Sequence, residues 1–355
     1  MIAPCPSSFT LPSRLQDLPP AWARFCLRID RFISQTVGPI HNRHLLLACS
    51  AGSDSLALLL VMNSLASRLK IKLSAVHLDH CLRSESRNET LALARVCATL
   101  NIPLKIGRSN VGRYARKTGL GIEEAGRTLR YRFLLGLGKK INADLILTAH
   151  HADDLAEDVL MRLLRGAGWP GLAGMPAWDP KRRLARPLLR TTKQTLQTFL
   201  RVLDLTWQED ASNADQNFLR NRIRSAILPE IKREFPGMHR GIARLHALAS
   251  LDLDYFTTRL APLLTKAREH GHFLERRDLA HLHPALRLRL FKALVDDLGP
   301  GQARHDALLR LEQAWQENRT GACIQFPGEK TGTVTAQGIR FAVSRAAQRG
   351  AKPCA

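Results

Sequence analysis

Between Arg43 and Leu189, short apolar runs alternate with stretches whose apolar residues recur at helical spacing. The short runs predict strands at Leu45–Cys49, Leu73–Leu78, Leu104–Ile106 and Leu145–Ala149. The longer stretches predict helices at Ser55–Leu69, Ser86–Leu100, Glu123–Leu137 and Ala152–Leu164. Strands that alternate with helices pair in parallel, and the helices cover both faces of the sheet. Ligands of such folds bind at the carboxyl ends of the strands. Three polar clusters fall there: Ser50–Ser55, His77–Arg83 and His150–Glu157.

Downstream the pattern changes. Gly166–Gly174 is a Gly-rich connector, followed by Arg186-Pro187-Leu188-Leu189 and a predicted helix at Lys193–Leu203. A turn region rich in Asp and Asn, Glu209–Asn217, precedes a basic helix, Phe218–Ile231. From His239 to Asn318 the spacing is helical, with many Leu and Arg. From Ala322 to Val343 it alternates between glycines and predicts strands and hairpins.

The first polar cluster, Ser50-Ala51-Gly52-Ser53-Asp54-Ser55, is a small-residue turn between a predicted strand and a predicted helix. Small residues let backbone N–H groups approach a phosphate, and the helix N-terminus adds partial positive charge. Ser50, Ser53 and Ser55 add hydroxyls. Asp54 is out of place beside phosphates unless Mg²⁺ or a transferring group lies between them. No Gly-Lys-Ser/Thr closes the loop, so it is not a Walker A motif. An ordinary N-capped helix is the competing reading of the same residues.

At the second cluster, alternation aims His77 and Asp79 to one side and His80 beyond the strand, without the further ligands a zinc site needs. The third cluster is denser. With a helix starting near Ala152, Asp154 and Glu157 share a face, and His150 precedes them at the strand end. Two acids and a histidine beside a phosphate loop can bind a cationic substrate, hold Mg²⁺ or position a proton acceptor. Acids complementing a helix dipole are the plainer reading, which leaves Glu157 and the paired histidines less well explained. Arg127 and Arg130 can face phosphate or pair with Glu123 and Glu124. Arg220, Arg222 and Arg224 give either a solvated basic face or a nucleic-acid contact.

Charge shifts that balance. The 355 residues carry a net charge of +22 and a pI near 10.6, which favours a polyanionic partner, most simply nucleic acid. Apolar content of 45% is ordinary for a globular protein. No run reaches membrane-spanning length, and Met1–Asp17 lacks the basic start and apolar core of a secretory signal. The seven cysteines form no Cys-x-x-Cys pair, which argues against zinc-ribbon and iron–sulfur sites and fits a reducing, cytoplasmic setting. Cys49, beside the loop, reads as a small apolar strand residue.

The loop resembles the SGGxDS motif of the N-type ATP pyrophosphatases, the PP-loop superfamily, with Ala51 where that motif has Gly. A wider series resembles the tRNA(Ile)-lysidine synthase family. It runs through Val76-His77-Leu78-Asp79-His80, Glu124–Tyr131, Thr148–Glu157, Arg165-Gly166-Ala167-Gly168, Arg186-Pro187-Leu188-Leu189 and Asp210–Arg224. Further departures are Gly126 for Ala, Leu155 for Gln and Asp158 for Thr. They leave the acids and basic groups in place and bear on loop geometry.

The resemblance implies an α/β fold with a parallel sheet of the adenine nucleotide alpha hydrolase-like (PP-loop ATPase) type, then a mainly helical C-terminal region ending in short strands. It implies a catalytic domain over 25–225 and a tRNA-binding region over 226–345, between a leader over residues 1–24, read as disordered from its Pro- and Ser-rich start, and a tail over 346–355, also read as disordered. The implied reaction uses ATP to adenylate the wobble cytidine of a CAU-anticodon tRNA(Ile), releasing pyrophosphate. Free L-lysine then displaces AMP and leaves lysidine. Ser50, Ala51, Gly52, Ser53, Asp54 and Ser55 would hold ATP, with Asp54 at the reacting phosphate or its Mg²⁺. Asp154 and Glu157 would hold the lysine ammonium. His150 and Arg127 would orient ATP or the developing oxygen charge, and Arg220 and Arg224 would position RNA. A homodimer is left open. The rivals are another PP-loop enzyme such as a tRNA thiolase, against which the missing Cys-x-x-Cys counts, small-molecule amidation, and a non-catalytic RNA-binding homologue.

Overall fold

Three consecutive leucines, Leu45, Leu46 and Leu47, have no solvent exposure in the computed structural model, which describes residues 11–79, 86–207 and 219–344. Only a central strand covered on both faces buries successive side chains in this way. That strand is β1 (His44–Ala48). It pairs in parallel with β2 (Lys72–Asp79) on one side and β4 (Leu145–Leu147) on the other. β3 (Leu104–Arg108) extends the sheet beyond β2. A short antiparallel pair, β5 (Trp178–Asp179) and β6 (Leu184–Ala185), extends it beyond β4. The order is β3-β2-β1-β4-β6-β5. The chain winds outward from β1 to β3, then returns to the other side of β1 at β4. The crevice above β1 and β4 is therefore the topological switch point, where such sheets bind ligands.

Helices cover both faces. α1 (Pro20–Thr36), α2 (Ser53–Leu69), α3 (Ser86–Thr99) and, later, α7 (Lys193–Val202) share one core with β1. Thirteen consecutive or near-consecutive residues of α2, from Ser53 to Leu69, are buried. A helix apolar on all sides belongs inside, and here α1 and α7 close over it. Trp22, Phe25 and Phe199 lock α1 to α7, with ring centroids 5.2–5.6 Å apart. α4 (Val111–Thr118) leads into α5 (Ile122–Lys140), whose Leu134 joins Leu46, Val76, Ile146 and Leu184 in a second core. A Cβ at Gly138 would stand 3.1 Å from Ile146 Cδ1, so glycine lets α5 lie close to the sheet. α6 (Ala152–Leu164) follows β4.

The predicted strands and helices of this region are present. The ends shift for local reasons: β4 stops at Leu147 because the chain turns there into the polar cluster that precedes α6. The implied leader differs more. Within residues 11–24, Leu18 is buried, Asn63 Nδ2 donates to the Pro12 carbonyl at 3.2 Å, and α1 has begun with Pro20 in its first turn. Phe25, Cys26, Ile29 and Ile33 form its buried stripe.

Three helical segments follow the site: α8 (Leu219–Arg222), a π-helical turn at Ile223–Ile227, and α9 (Leu228–Glu234). α10 (Met238–Glu269) comes next. The first compact unit runs through Ala249, beyond the implied boundary at 225. The reason is packing: Ile242 joins the cluster of Leu155, Met175 and Leu189, and the His246 ring bonds the Met175 carbonyl at 3.0 Å.

The second unit starts at Ser250. After α10 it contains β7 (Phe273–Glu275), α11 (Arg276–Ala280), α12 (Pro284–Asp297), α13 (His305–Gln316), β8 (Cys323–Phe326), β9 (Lys330–Thr335) and β10 (Gly338–Val343). The strands form an antiparallel sheet, β7-β10-β9-β8. β7 interrupts a stretch expected to be wholly helical. Its core gathers Leu290, Phe291, Leu294, Leu311, Val334, Ile339 and Phe341. Three charged groups lie inside it. Lys330 is 1% exposed, and its Nζ donates to the Gly299 carbonyl at 3.0 Å and to that of Gly301. Arg287 Nε lies 3.0 Å from both Glu312 carboxylate oxygens, and the Arg287 guanidinium also donates to the Leu279 and Leu282 carbonyls.

Candidate active site

The loop leaves β1 and enters α2 through Gly52, which provides no side-chain cap. The ordinary N-cap reading therefore does not hold, and the first turn of α2 keeps N–H groups for another acceptor. Ser55 instead braces the loop from behind. Its Oγ donates to the Ser50 carbonyl at 2.7 Å, and the Ser50 N–H donates back to Ser55 Oγ at 2.9 Å. Ser50 Oγ accepts from the Gly52 N–H at 3.3 Å. Ala51 does not need positive φ, so its methyl replaces glycine without backbone strain. Cys49 is buried below, and its carbonyl accepts from His77 Nδ1 at 3.0 Å. Burial pushes the Cys49 thiol up, away from reactivity, in keeping with an apolar strand residue.

Opposite the loop, α6 starts with a reciprocal cap. The His151 N–H donates to Asp154 Oδ2 at 3.0 Å, and the Asp154 N–H points at His151 Nδ1 at 3.4 Å. His151 is 2% exposed and is ringed by acids. Its Nε2 lies 3.4 Å from both Asp54 Oδ2 and Asp154 Oδ2, and its Nδ1 lies 3.6 Å from Asp153 Oδ2. Burial alone would lower its pKa, but the three carboxylates outweigh it and raise it. Asp153 accepts from the Lys193 N–H at 2.8 Å and from His239 Nε2 at 3.0 Å. Burial opposes ionisation of Asp153, yet these donors hold its carboxyl well below the usual range.

Asp154 and Glu157 share a face of α6, as their spacing predicts, and both are buried. Their partners are the two arginines expected to face RNA. Arg224 reaches Asp154 Oδ1 at 2.7 Å and Glu157 Oε2 at 2.9 Å, and Arg220 Nε bonds Glu157 Oε1. Arg220 also lies 3.6 Å from Glu123. Ile223, fully buried against Ala156, anchors the π-helical turn that carries Arg224. Burial raises the Glu157 carboxyl, with the two guanidiniums opposing it. Burial would also raise Asp154, but His151 and Arg224 hold it down.

His150 lies beside this network, its Nδ1 2.9 Å from Thr148 Oγ1. Desolvation lowers its pKa to about 3, with Arg186 and Arg127 adding to the effect. It is thus a neutral imidazole at pH 7. Arg127 lies near enough to act on His150 and also stacks on an aromatic ring. Its guanidinium sits 5.3 Å above the Tyr131 ring, which Arg182 also covers at 5.5 Å, in a groove of about 390 Å³. Asp79 is buried near Arg108, at 3.7 Å. The readings for His80–Arg83 and Glu209–Phe218 lie outside the described residues. Sequence reasoning missed His151 and His239 as site residues. The paired histidines before an acidic helix were the available signal for the first; nothing local marked the second.

The family described as PP-loop domain matches residues 26–231. The tRNA(Ile)-lysidine synthase of Nitratidesulfovibrio vulgaris is 43% identical over 321 residues, covering 85% of this chain and 92% of that protein. That of Deinococcus radiodurans is 35% identical over 283 residues, but this chain spans only 47% of its length. Among solved structures, the U34-tRNA thiolase NcsA from Methanococcus maripaludis aligns with a TM-score of 0.52 at 17% identity, over 64% of this chain and 80% of that one, a likeness of fold alone. Among the described residues no helix is long and apolar enough to cross a membrane. With the PP-loop at its switch point and a relative matched over nearly its whole length, the chain belongs to the tRNA(Ile)-lysidine synthase family.

Proposed function

We propose that this chain is an ATP-dependent ligase that attaches free L-lysine to C2 of the wobble cytidine of a CAU-anticodon tRNA(Ile). The observation that carries the reading is the meeting of two subsites at the switch point. A helix N-terminus without a side-chain cap stands ready to receive phosphate, and an acidic pair suited to an ammonium lies across His151 from it. In the first step the cytidine O2 bonds to the α-phosphorus of ATP and pyrophosphate leaves. In the second the lysine ε-amine, having lost a proton, bonds to C2, and AMP departs with the former O2.

Ser50–Ser55 would receive the phosphates on backbone N–H groups. Asp54 supplies one carboxylate at the loop. That suits Mg²⁺, which commonly binds one or two carboxylates and substrate phosphates. Bound there, the ion would neutralise phosphate charge. Asp154 and Glu157 would hold the lysine ammonium. His150, being neutral, serves as a hydrogen-bond partner rather than as an added positive charge. Arg220 and Arg224 already hold the acids, so RNA phosphates would compete for them at their exposed edges, 26% and 33% of each side chain.

The direct test incubates the protein with ATP, labelled lysine and the CAU-anticodon tRNA(Ile). Label is expected in the RNA; ATP consumption with no label in the RNA would refute lysine as the co-substrate. A second test separates the subsites. Removing one charged hydrogen-bond partner of an ammonium, Asp154→Asn should raise KM for lysine roughly tenfold and KM for ATP far less. The opposite order would place Asp154 in the nucleotide site.

A further inference from the structure

Asp54 presents a problem within its own helix. An acid in the first turn is drawn to the free N–H groups there, and Gly52 offers no side chain to occupy them. Left to itself, the carboxylate would fold onto the donors that a phosphate needs. The structure shows it held the other way. Ser53 Oγ donates to Asp54 Oδ1 at 3.1 Å, and His151 Nε2 stands 3.4 Å from Oδ2. His151 is itself fixed: it caps α6, lies against Asp153, and is 2% exposed. Asp153 is tied in turn to His239 and the Lys193 N–H.

We propose that His151 is a positioning residue that keeps the phosphate site open by drawing the Asp54 carboxylate off its own helix N-terminus. The same Nε2 serves Asp154, so one donor spaces the acid of the phosphate loop from the acid of the amine subsite. Two carboxylates converging on one ring without that donor would repel each other, and Asp54, on the loop side, has the vacant N–H groups to turn to. The inference rests on the loop being the ATP phosphate site and is independent of lysine and RNA.

The test uses inorganic pyrophosphate with EDTA present, so that no metal intervenes, and titrates the full-length protein calorimetrically. Asn retains an acceptor near the position of Nδ1, and thus the cap on α6, but loses the Nε2 donor. Gln reaches the Nε2 position. His151→Asn should bind pyrophosphate roughly tenfold more weakly, the order expected from an acid competing for a helix N-terminal anion site. His151→Gln should stay close to wild type. Asp54→Ala should bind more tightly than wild type, and adding His151→Asn to Asp54→Ala should change nothing further. A purely structural role would instead weaken binding equally in both backgrounds, which would overturn the proposal. Should the Asn variant fail to fold, a Gln variant as weak as Asp54 competition predicts for Asn would also overturn it. Wild-type protein that does not bind pyrophosphate would remove the phosphate-loop assignment itself; wild-type binding with unaltered variants would remove only the role of His151.

Discussion

Asp54→Asn protein is expected to lose tRNA-dependent pyrophosphate release by roughly a hundred- to a thousandfold, the scale on which removing one preorganised electrostatic contact acts. Asparagine matches the shape and can still accept from Ser53 Oγ through its carbonyl oxygen. It lacks the charge that, under the proposed function, would attract Mg²⁺ to the phosphates. RNA binding draws on the wider surface of a chain with net charge +22, so filter-binding affinity for tRNA should change little. Near-normal pyrophosphate release by the variant would remove Asp54 from the chemistry. Equal losses in tRNA binding and release would mean that the substitution disturbs the fold instead.

The largest stability effect should come from the second unit. Arg287 and Glu312 are 7% and 6% exposed and paired at 3.0 Å. Arg287→Ala removes the guanidinium and leaves a carboxylate buried without its partner. Breaking such a pair from one side costs about 3–5 kcal/mol. Replacing both partners by apolar residues of similar volume, Arg287→Met with Glu312→Leu, should restore most of that, since no buried charge remains. Urea unfolding of the full chain measures both. A loss below about 1 kcal/mol in the single variant, the scale of an exposed pair, would show that water reaches Glu312.

Much of the first unit was legible because buried parallel strands demand unbroken apolar runs. Leu45–Leu47 and Leu145–Leu147 could hardly be anything else. α1 carries an equally plain stripe in Phe25, Cys26, Ile29 and Ile33, but its first residues, 20–24, fall inside the expected leader. β5, β6 and β7 are two or three residues long, too short for any period to show. At the site, Asp54, Asp154 and Glu157 announced themselves by their place at strand ends. Their partners did not. Arg220 and Arg224 lie 63 and 67 residues beyond Glu157, on a helix whose charge reads equally well as an RNA-facing surface. His239 is 86 residues from Asp153 and has no neighbours in sequence that hint at a site. Spacing predicts which residues share a helix face; it does not predict which distant element will supply the counter-charge.

The near-complete burial of α2 has a mechanical consequence. The helix that presents the phosphate loop is clamped between the sheet and two other helices, and Ser55 ties the loop to its own base. That side of the crevice is an anvil. The facing side is assembled from separate pieces, α6 and the π-helical turn, joined through the ion pairs of Arg224 with Asp154 and Glu157. Fit to a bulky nucleic-acid base would therefore be gained by adjusting the facing side, while the nucleotide stays in fixed register against the other.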